Sequence, residues 1–353
     1  MTQPGNVHQL VGHLFRQEAG KMAAVLTRIF GLHNIEQAED IVQDTLLQAL
    51  SAWKFKGIPE NPQAWLYTVA KNKTVDLLRT QKRRHEIEND ISVLLKTEWT
   101  LVPTVKNHFL KNEIDDSQLR MIFACCHPSI PYESQIALTL KTLCGLSTSE
   151  IASGFLTNEE TISKRIYRAK EKFKTENIQL EVPVNDLETR LDAVLKSLYL
   201  LFNEGYNSNS TNEIIREDLC SEAMRLCILL TENEITGQPQ SFALLSLMCL
   251  QASRFDARLD DQGEIILLKD QDRSKWNSKL IGKGIEYLKQ SQSKQGATEY
   301  HLEASIAACH ALAEDFDATN WKYIYNVYCE LSMIKPSPVI EMNKQCFGVC
   351  RDH

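Results

Sequence analysis

Apolar residues recur at helical spacing through almost the whole of this chain, and that regularity narrows the possible folds more than any other property. After a Val182-Pro183 boundary, one apolar stripe comprises Leu187, Leu191, Val194, Leu195, Leu198, Leu201 and Phe202. Helical patterns continue over residues 221–231, 240–257, 276–292 and 303–316. This spacing matches the turn of an α-helix and gives each segment one face that can pack. The single strand-like run, GEIILLK at 263–269, is too short to change the class, so the sequence predicts an all-α protein.

Length and cysteine usage limit the class of protein further. A chain of 353 residues has room for two or three domains. It has neither an N-terminal signal pattern nor a run of about 18 apolar residues, so we expect neither export nor a membrane span. Its 10 cysteines are scattered, which favours a reducing compartment over a disulfide framework. We therefore expect a cytoplasmic protein.

Charge is divided unevenly along the chain. Residues 1–180 hold 22 Lys and Arg against 20 Asp and Glu, whereas residues 181–353 hold 17 against 26. The first part is therefore at +2 and the second at −9, within a total of −7. Such asymmetry suggests that the two parts have different partners.

A cationic helix with a capped short helix before it lies at residues 147–174. Ser147 with Glu150, and Thr157 with Glu160, fit the capping-box pattern, which predicts a short helix, a tight turn and a second helix. On the second helix Ile162, Ile166, Ala169 and Phe173 share one face, while Thr161, Ser163, Lys164, Arg165, Arg168 and Lys172 lie beside it. A helix-turn-helix that reads DNA needs this arrangement. The same pattern also suits an amphipathic surface helix with a solvated charged face.

An earlier block combines cations with aromatic residues. Asn61 and Pro62 predict a helix start, and the cations and amide that follow are Lys71, Asn72, Lys73, Arg79, Lys82 and Arg83. The aromatic residues before them are Trp53, Phe55, Trp65 and Tyr67. Cations hold phosphates and aromatic rings accept unstacked bases, although core packing is the favoured interpretation for Trp65 and Tyr67. Upstream, acidic residues of AEDIVQDTLLQAL complement a helix dipole or form a docking edge for a basic partner.

These segments, taken in order, resemble a known family. AEDIVQDTLLQALSAW, NPQAWLYTVAKNKTVDLLRTQKRR and LTLKTLCGLSTSEIASGFLTNEETISKRIYRAKEKFK are similar to the extracytoplasmic-function sigma factors of bacterial RNA polymerase. DDSQLRMIFACCHPSI, LYLLFNEGY, LCSEAMRL, ARLDDQGEIILLKDQDRSKW and PSPVIEMN resemble the subgroup with a long, tetratricopeptide-like helical extension. The ending KQCFGVCRDH departs from that subgroup, so we expect part of the extension to be missing.

The resemblance implies a domain plan and two partners, core RNA polymerase and promoter DNA. Residues 1–84 would be sigma region 2, 85–112 a linker, 113–181 the region 4 helix-turn-helix and 182–353 a regulatory helical extension. Region 2 would bind polymerase through Glu39, Asp40, Gln43 and Asp44. The −10 element would be handled by Lys71, Asn72, Lys73, Arg79, Lys82 and Arg83, with the 54–61 loop before them. The −35 element would be read by Thr161, Ser163, Lys164, Arg165, Arg168 and Lys172.

Other kinds of site are disfavoured by the sequence. Cys125, Cys126 and His127 lack the spacing of a metal site, and buried thiols on a core helix suit them better. Asp272 and Arg273, near Trp276, suggest a structural ion pair. No catalytic motif, cofactor site or small-molecule substrate is evident, so we do not expect an enzyme. Two alternatives stay open: a repressor that binds duplex DNA without polymerase, and a helical interaction scaffold.

Overall fold

The structure, a computed structural model, describes residues 4–87, 98–155, 157–207, 215–294 and 296–349. Within these ranges the regular elements are α-helices and short 3-10 turns, which confirms the all-α prediction. The chain divides into two compact units, Met1–Ser197 and Leu198–His353. None of the described helices is long and apolar enough to cross a membrane.

In the described part of the first unit, the chain forms eight helices and the start of a ninth. They are α1 (Pro4–Phe30), α2 (Ile35–Lys56), α3 (Pro62–Ile87), α4 (Glu98–His108), α5 (Lys111–Cys125), α6 (Tyr132–Thr142), α7 (Thr148–Gly154), α8 (Glu159–Thr175) and α9 (Val184–Tyr206). The predicted start of α3 is confirmed, since the Asn61 side chain accepts a hydrogen bond from the Ala64 amide at 2.9 Å. Gly57 ends α2 at φ 76°, a left-handed conformation that glycine adopts without strain.

The segment predicted as a linker contains a helix. Residues 88–97 of that segment lie outside the described residues, but α4 follows them and belongs to the core that α1, α2 and α3 form. Val105 and Phe109 are buried, and the Phe109 ring lies 5.5 Å from that of Tyr67. The sequence argued against a helix because Pro103 lies inside it. Burial of Val105 and Phe109 against the core offsets the cost of a proline within the helix.

Among its described residues, the second unit contains the rest of α9 and seven further helices. They are α10 (Glu217–Glu232), α11 (Pro239–Ala252), α12 (Phe255–Arg258), α13 (Ser278–Gln290), α14 (Glu299–Leu312), α15 (Trp321–Ile334) and α16 (Pro338–Val349). Helix α11 is central, since α10, α13 and α14 all pack against it. The strand-like run at 263–269 forms only an isolated bridge, between Leu259 and Ile265, and then a 3-10 turn at Leu268–Asp270.

Candidate nucleic-acid interface

The short helix before the cationic helix begins as predicted. Ser147 Oγ accepts a hydrogen bond from the Glu150 amide at 3.2 Å, and Glu150 Oε2 accepts one from the Ser147 amide at 2.6 Å. Both halves of the capping box are therefore present. This reciprocal pair fixes where α7 starts.

The cationic helix α8 begins one residue later than its predicted cap. Its N-cap is Asn158, whose Oδ1 accepts a hydrogen bond from the Thr161 amide at 2.8 Å. The amide of Thr157 instead donates to the carbonyl oxygen of Ala152 at 2.9 Å and so closes the turn that follows α7. The prediction of Thr157 as the cap was wrong because its backbone is already used by the preceding turn.

One face of α8 packs and the opposite face is open. The apolar face is confirmed: Ile162, Ile166, Ala169 and Phe173 are all buried. Of the side chains predicted to face DNA, Ser163, Lys164 and Arg168 are exposed, and Thr161 is half-buried. Tyr167 is also exposed, at 63%, and was missed. Its position one residue after Ile166, on the apolar face, could have indicated that its side chain lies outside that face.

The cations of α8 differ in their partners. Lys164 lies 2.6 Å from Glu160 and Lys172 lies 2.8 Å from Glu176, each one turn away on an exposed surface. Arg165 pairs with Glu133 of α6 and lies 5.5 Å above the Phe155 ring. Arg168 makes no ion pair with any residue in the described ranges. It is therefore the α8 arginine most available to a phosphate or a base edge.

A stripe along α2 combines carboxylates with exposed leucines. Asp40, Gln43 and Asp44, three of the predicted polymerase-binding residues, are exposed. Leu47 and Leu50 continue the stripe toward the end of the helix and are 61% and 50% exposed. Positions three and four apart lie on the same side of a helix, so these five residues, here called the α2 stripe, form one surface. The two leucines were missed as site residues because their spacing also suited a core.

Glu39 is placed differently from the rest of the predicted set. Its carboxylate lies 2.5 Å from Lys170 of α8, and both side chains are largely buried. Glu36, one turn earlier, lies 3.4 Å from Lys174. The acidic start of α2 is thus joined to the basic end of α8, and Glu39 is less available to another protein than Asp40 or Asp44.

Two exposed apolar side chains lie where α2 ends: Phe55 in the last turn of α2 and Ile58 in the loop after it. Residues 54–56 of the predicted 54–61 loop are therefore helical. Of the four aromatic residues considered as base acceptors, Trp53 and Tyr67 are buried, Trp65 is half-buried and Phe55 is 84% exposed. Burial of Tyr67 agrees with the core interpretation. Phe55 is the aromatic residue of this set that an unstacked base could reach.

The cations predicted to bind near this loop lie on α3. Lys73 lies 3.6 Å from Asp44 and Arg79 lies 3.7 Å from Asp76, whereas Asn72 is exposed. Burial, and then the charge of Lys106, lowers the pKa of Lys71. The side chains of Lys82 and Arg83 lie outside the described residues, although their backbone belongs to α3.

The structure also shows the surroundings of two groups that the sequence disfavoured as functional sites. Cys125 and Cys126 are buried, as predicted, and burial raises the pKa of Cys125 to about 12. The predicted ion pair between Asp272 and Arg273 is wrong. Asp272 accepts hydrogen bonds from the amide and hydroxyl of Ser274, and Arg273 donates to backbone carbonyl oxygens. The two side chains therefore bond to other groups and not to each other.

Family models match three parts of the chain. Residues 14–84 match Sigma-70 region 2 and residues 120–173 match Sigma-70, region 4. Residues 190–292 match a family of unknown function, DUF6596. The first two matches cover the α2 stripe, the following loop, and most of α3 and α8.

Several curated proteins are similar to this chain. An uncharacterised protein of Rhizobium meliloti is 36% identical over 314 residues, which is 88% of this chain and 73% of that protein. An ECF RNA polymerase sigma-E factor of Haemophilus influenzae is 31% identical over 161 residues, 43% of this chain and 78% of that protein. The ECF RNA polymerase sigma factor SigL of Mycobacterium tuberculosis is 27% identical over 45% of this chain and 84% of its own length. No solved structure gives a significant match.

Proposed function

Because the chain belongs to the extracytoplasmic-function family of RNA polymerase sigma factors, we propose that separate faces of its first unit contact polymerase and promoter DNA. The α2 stripe docks on core polymerase. The exposed face of α8 reads the −35 element, and Phe55 at the end of α2, the loop after it and α3 handle the −10 element. The protein acts by binding, in the bacterial cytoplasm where polymerase and chromosome meet.

The α2 stripe is the observation that carries this proposal. Solvated carboxylates alone would suit any surface helix. The same stripe also carries two leucines that are at least half exposed, and such exposure of apolar surface to water is unfavourable. A partner that covers the leucines and presents cations to Asp40 and Asp44 compensates for that exposure. A repressor working without polymerase would leave the leucines without a partner.

The residues beside the loop suit promoter melting. Opening a duplex requires that an unpaired base be captured, and unstacking it costs a few kcal/mol. Phe55 offers a stacking surface, and Lys73 and Arg79 of the following helix offer cations for the single-stranded backbone. Neither cation is deeply buried, so a phosphate can replace the carboxylate that each contacts.

The test is binding to core polymerase by the double variant Leu47→Ser, Leu50→Ser. Each leucine should lose contact area, and we expect the affinity to fall by about tenfold or more, since burying a leucine is worth roughly 1.5–3 kcal/mol. Charge reversal of Asp40 and Asp44 should mainly slow association. Binding kinetics measured at two salt concentrations separate the two effects.

The matched control is Leu312→Ser, which removes a leucine that is 67% exposed in the second unit. It should leave core affinity unchanged. Equal affinities for the parent chain, the α2 double variant and the control would show that the stripe does not bind polymerase.

A further inference from the structure

Three arginines of the second unit have no carboxylate within ion-pair distance among the described residues, although the charge of Asp315 acts on Arg273 from farther away. Arg254, Arg258 and Arg273 form no ion pair with any residue in the described ranges. Arg258 is only 8% exposed, and the other two are half-buried. Buried charges in proteins are normally paired, because removing an unpaired charge from water is costly. The cluster therefore has an excess of positive charge.

The groups that hold these arginines are neutral. The guanidinium groups donate to the hydroxyl and carbonyl of Tyr206, the side-chain oxygen of Gln251, and the carbonyls of His310 and Ala313. Arg254 and Arg273 both lie over the Trp276 ring, at 5.8 and 4.7 Å, and Arg258 lies 3.7 Å over Tyr206. Such contacts orient the cations and offset part of their charge. They supply no counter-ion.

Arg254 lines a cavity of about 440 Å³ between α9, α11, α14, α15 and α16. Leu250, Ile306 and Leu331 supply apolar wall in the same cavity. The volume lies within the range of roughly 300–1,000 Å³ that is usual for small-molecule sites.

The other charged side chains of the wall, Lys335 and Glu303, carry opposite charges, and Glu299, outside the wall, is a second carboxylate beside Lys335. Lys335 lies 2.5 Å from Glu299 and 3.6 Å from Glu303, and the Tyr199 hydroxyl donates to Glu303 at 2.9 Å. Arg254 is the cation of this wall that makes no ion pair with a described residue.

His310 adds a polar group that carries no charge. It is buried in the wall of the same cavity, and its Nδ1 has no hydrogen-bond partner among the described residues. Burial, and then the charges of Arg254 and Arg273, lowers the pKa of His310 to about 4, so the ring is neutral at pH 7. A neutral imidazole donates or accepts one hydrogen bond without repelling a cation or an anion.

We propose that this cavity binds a small organic anion, with its oxyanion group at Arg254 and its hydrocarbon part against Leu250, Ile306 and Leu331. A guanidinium group suits a carboxylate or a phosphate because it donates two parallel hydrogen bonds to either. The apolar wall requires that the ligand be more than an inorganic ion. All of the residues of this site belong to the second unit, whereas the proposed DNA and polymerase surfaces belong to the first.

The proposal can be tested with three related probes and the full chain. Benzoate, phenyl phosphate and neutral benzamide are titrated separately at fixed ionic strength, and binding is followed by ligand-observed NMR. We expect at least one of the two anions to bind at least tenfold more tightly than benzamide. The better of the two identifies carboxylate or phosphate as the preferred group. Equal binding of all three probes, or no binding, would overturn the proposal.

Two wall variants should act in opposite directions on the preferred anion. Arg254→Gln should weaken binding at least tenfold, while Glu303→Gln should strengthen it because it removes negative charge from the same wall. Lys279→Gln, on the exposed surface of α13, should change nothing. If Arg254→Gln does not fold, Glu303→Gln decides: tighter binding supports the site, and unchanged or weaker binding overturns it.

Discussion

On α8, the availability of each arginine to DNA depends on whether a carboxylate already pairs with it. Arg165 is held by Glu133 and by the Phe155 ring, whereas Arg168 has no ion-pair partner in the described ranges. A phosphate that approaches Arg165 must displace Glu133, but one that approaches Arg168 meets a solvated cation. Arg168 should therefore bind a DNA phosphate without breaking an existing ion pair. Arg165 can bind one only after its ion pair with Glu133 is broken, so its contribution to DNA affinity should be smaller.

Glu133→Gln should increase the affinity of the polymerase-bound protein for −35 DNA. Removing the carboxylate frees Arg165, and an exposed ion pair of this kind is worth up to about 1 kcal/mol, or about fivefold in affinity. Fluorescence anisotropy with a labelled promoter duplex, at one fixed salt concentration, measures the change.

Two controls isolate that competition. Glu188→Gln removes an exposed carboxylate outside the candidate interface and should have no effect. In an Arg165→Gln background, Glu133→Gln should no longer improve binding. A gain that persists in that background would mean that Glu133 acts by general repulsion of DNA.

At the scale of the element, the start of α8 depends on one side chain. Asn158 accepts the hydrogen bond that the first turn of the helix needs, and Thr157 completes the turn before it. The chain therefore passes from α7 to α8 in a turn whose two ends are each fixed by a hydrogen bond. The exposed face of α8 is oriented by that turn.

Asn158→Ala should loosen the first turn of α8. Loss of an asparagine cap costs about 1 kcal/mol, so amide exchange over the first turn of α8 should be about five times faster, provided that exchange occurs by local opening. Hydrogen exchange followed by mass spectrometry detects it. Thr157→Ala is the matched control, because only its backbone amide bonds in the turn. Faster exchange in the control than in Asn158→Ala would restore Thr157 as the cap.

At the scale of the whole molecule, the first unit depends on a close approach of two backbones. A Cβ atom added to Gly20 in α1 would overlap the carbonyl oxygen of Leu143 and lie 2.8 Å from its carbonyl carbon. Arg28 of the same helix lies 2.9 Å from Glu113 and 3.0 Å from Asp116. Glycine is therefore required at a helix position where alanine would normally be preferred.

Gly20→Ala should destabilise the first unit, although Gly12→Ala should stabilise it. Both lie in α1, and alanine favours a helix by roughly 1 kcal/mol, but a Cβ at Gly12 meets no atom within 4 Å. Overpacking at Gly20 costs roughly 1–3 kcal/mol and should exceed that gain. Urea unfolding measures the stability of each variant, and hydrogen exchange of the α6 amides measures the local effect near Leu143. Equal stabilisation by both would mean that α1 and Leu143 are not in close contact.

A chain that ends after α9 should initiate transcription less well than the full chain. Family resemblance favours a positive role for the acidic extension, through contact with polymerase. The cut must spare α9, because buried Arg190 donates to the Phe123 carbonyl oxygen at 3.1 Å within the first unit. Reconstituted transcription with core polymerase measures the effect. Higher activity would instead indicate masking of the DNA-binding surfaces, and unchanged activity and core affinity would exclude both roles.

The sequence was enough to predict most features that depend only on residues close together in the chain. The all-α class, the starts of α3 and α7, and the buried face of α8 all follow from spacing and capping within a few residues of one another. The order of the motifs was also enough to identify the family, since the same motifs match the sigma-70 region models. Helix α4 was missed because its apolar spacing is irregular and because Pro103 inside it argues against a helix.

Tertiary structure alone decided which members of each pattern remain available to a partner. Glu39 and Asp40 are adjacent in the sequence, yet Glu39 pairs with Lys170, which is 131 positions away, and Asp40 is exposed. Leu47 and Leu50 have the spacing of core residues but face solvent. The reason is physical: the periodicity of a helix specifies a face, whereas burial and ion pairing depend on what the rest of the chain brings against that face.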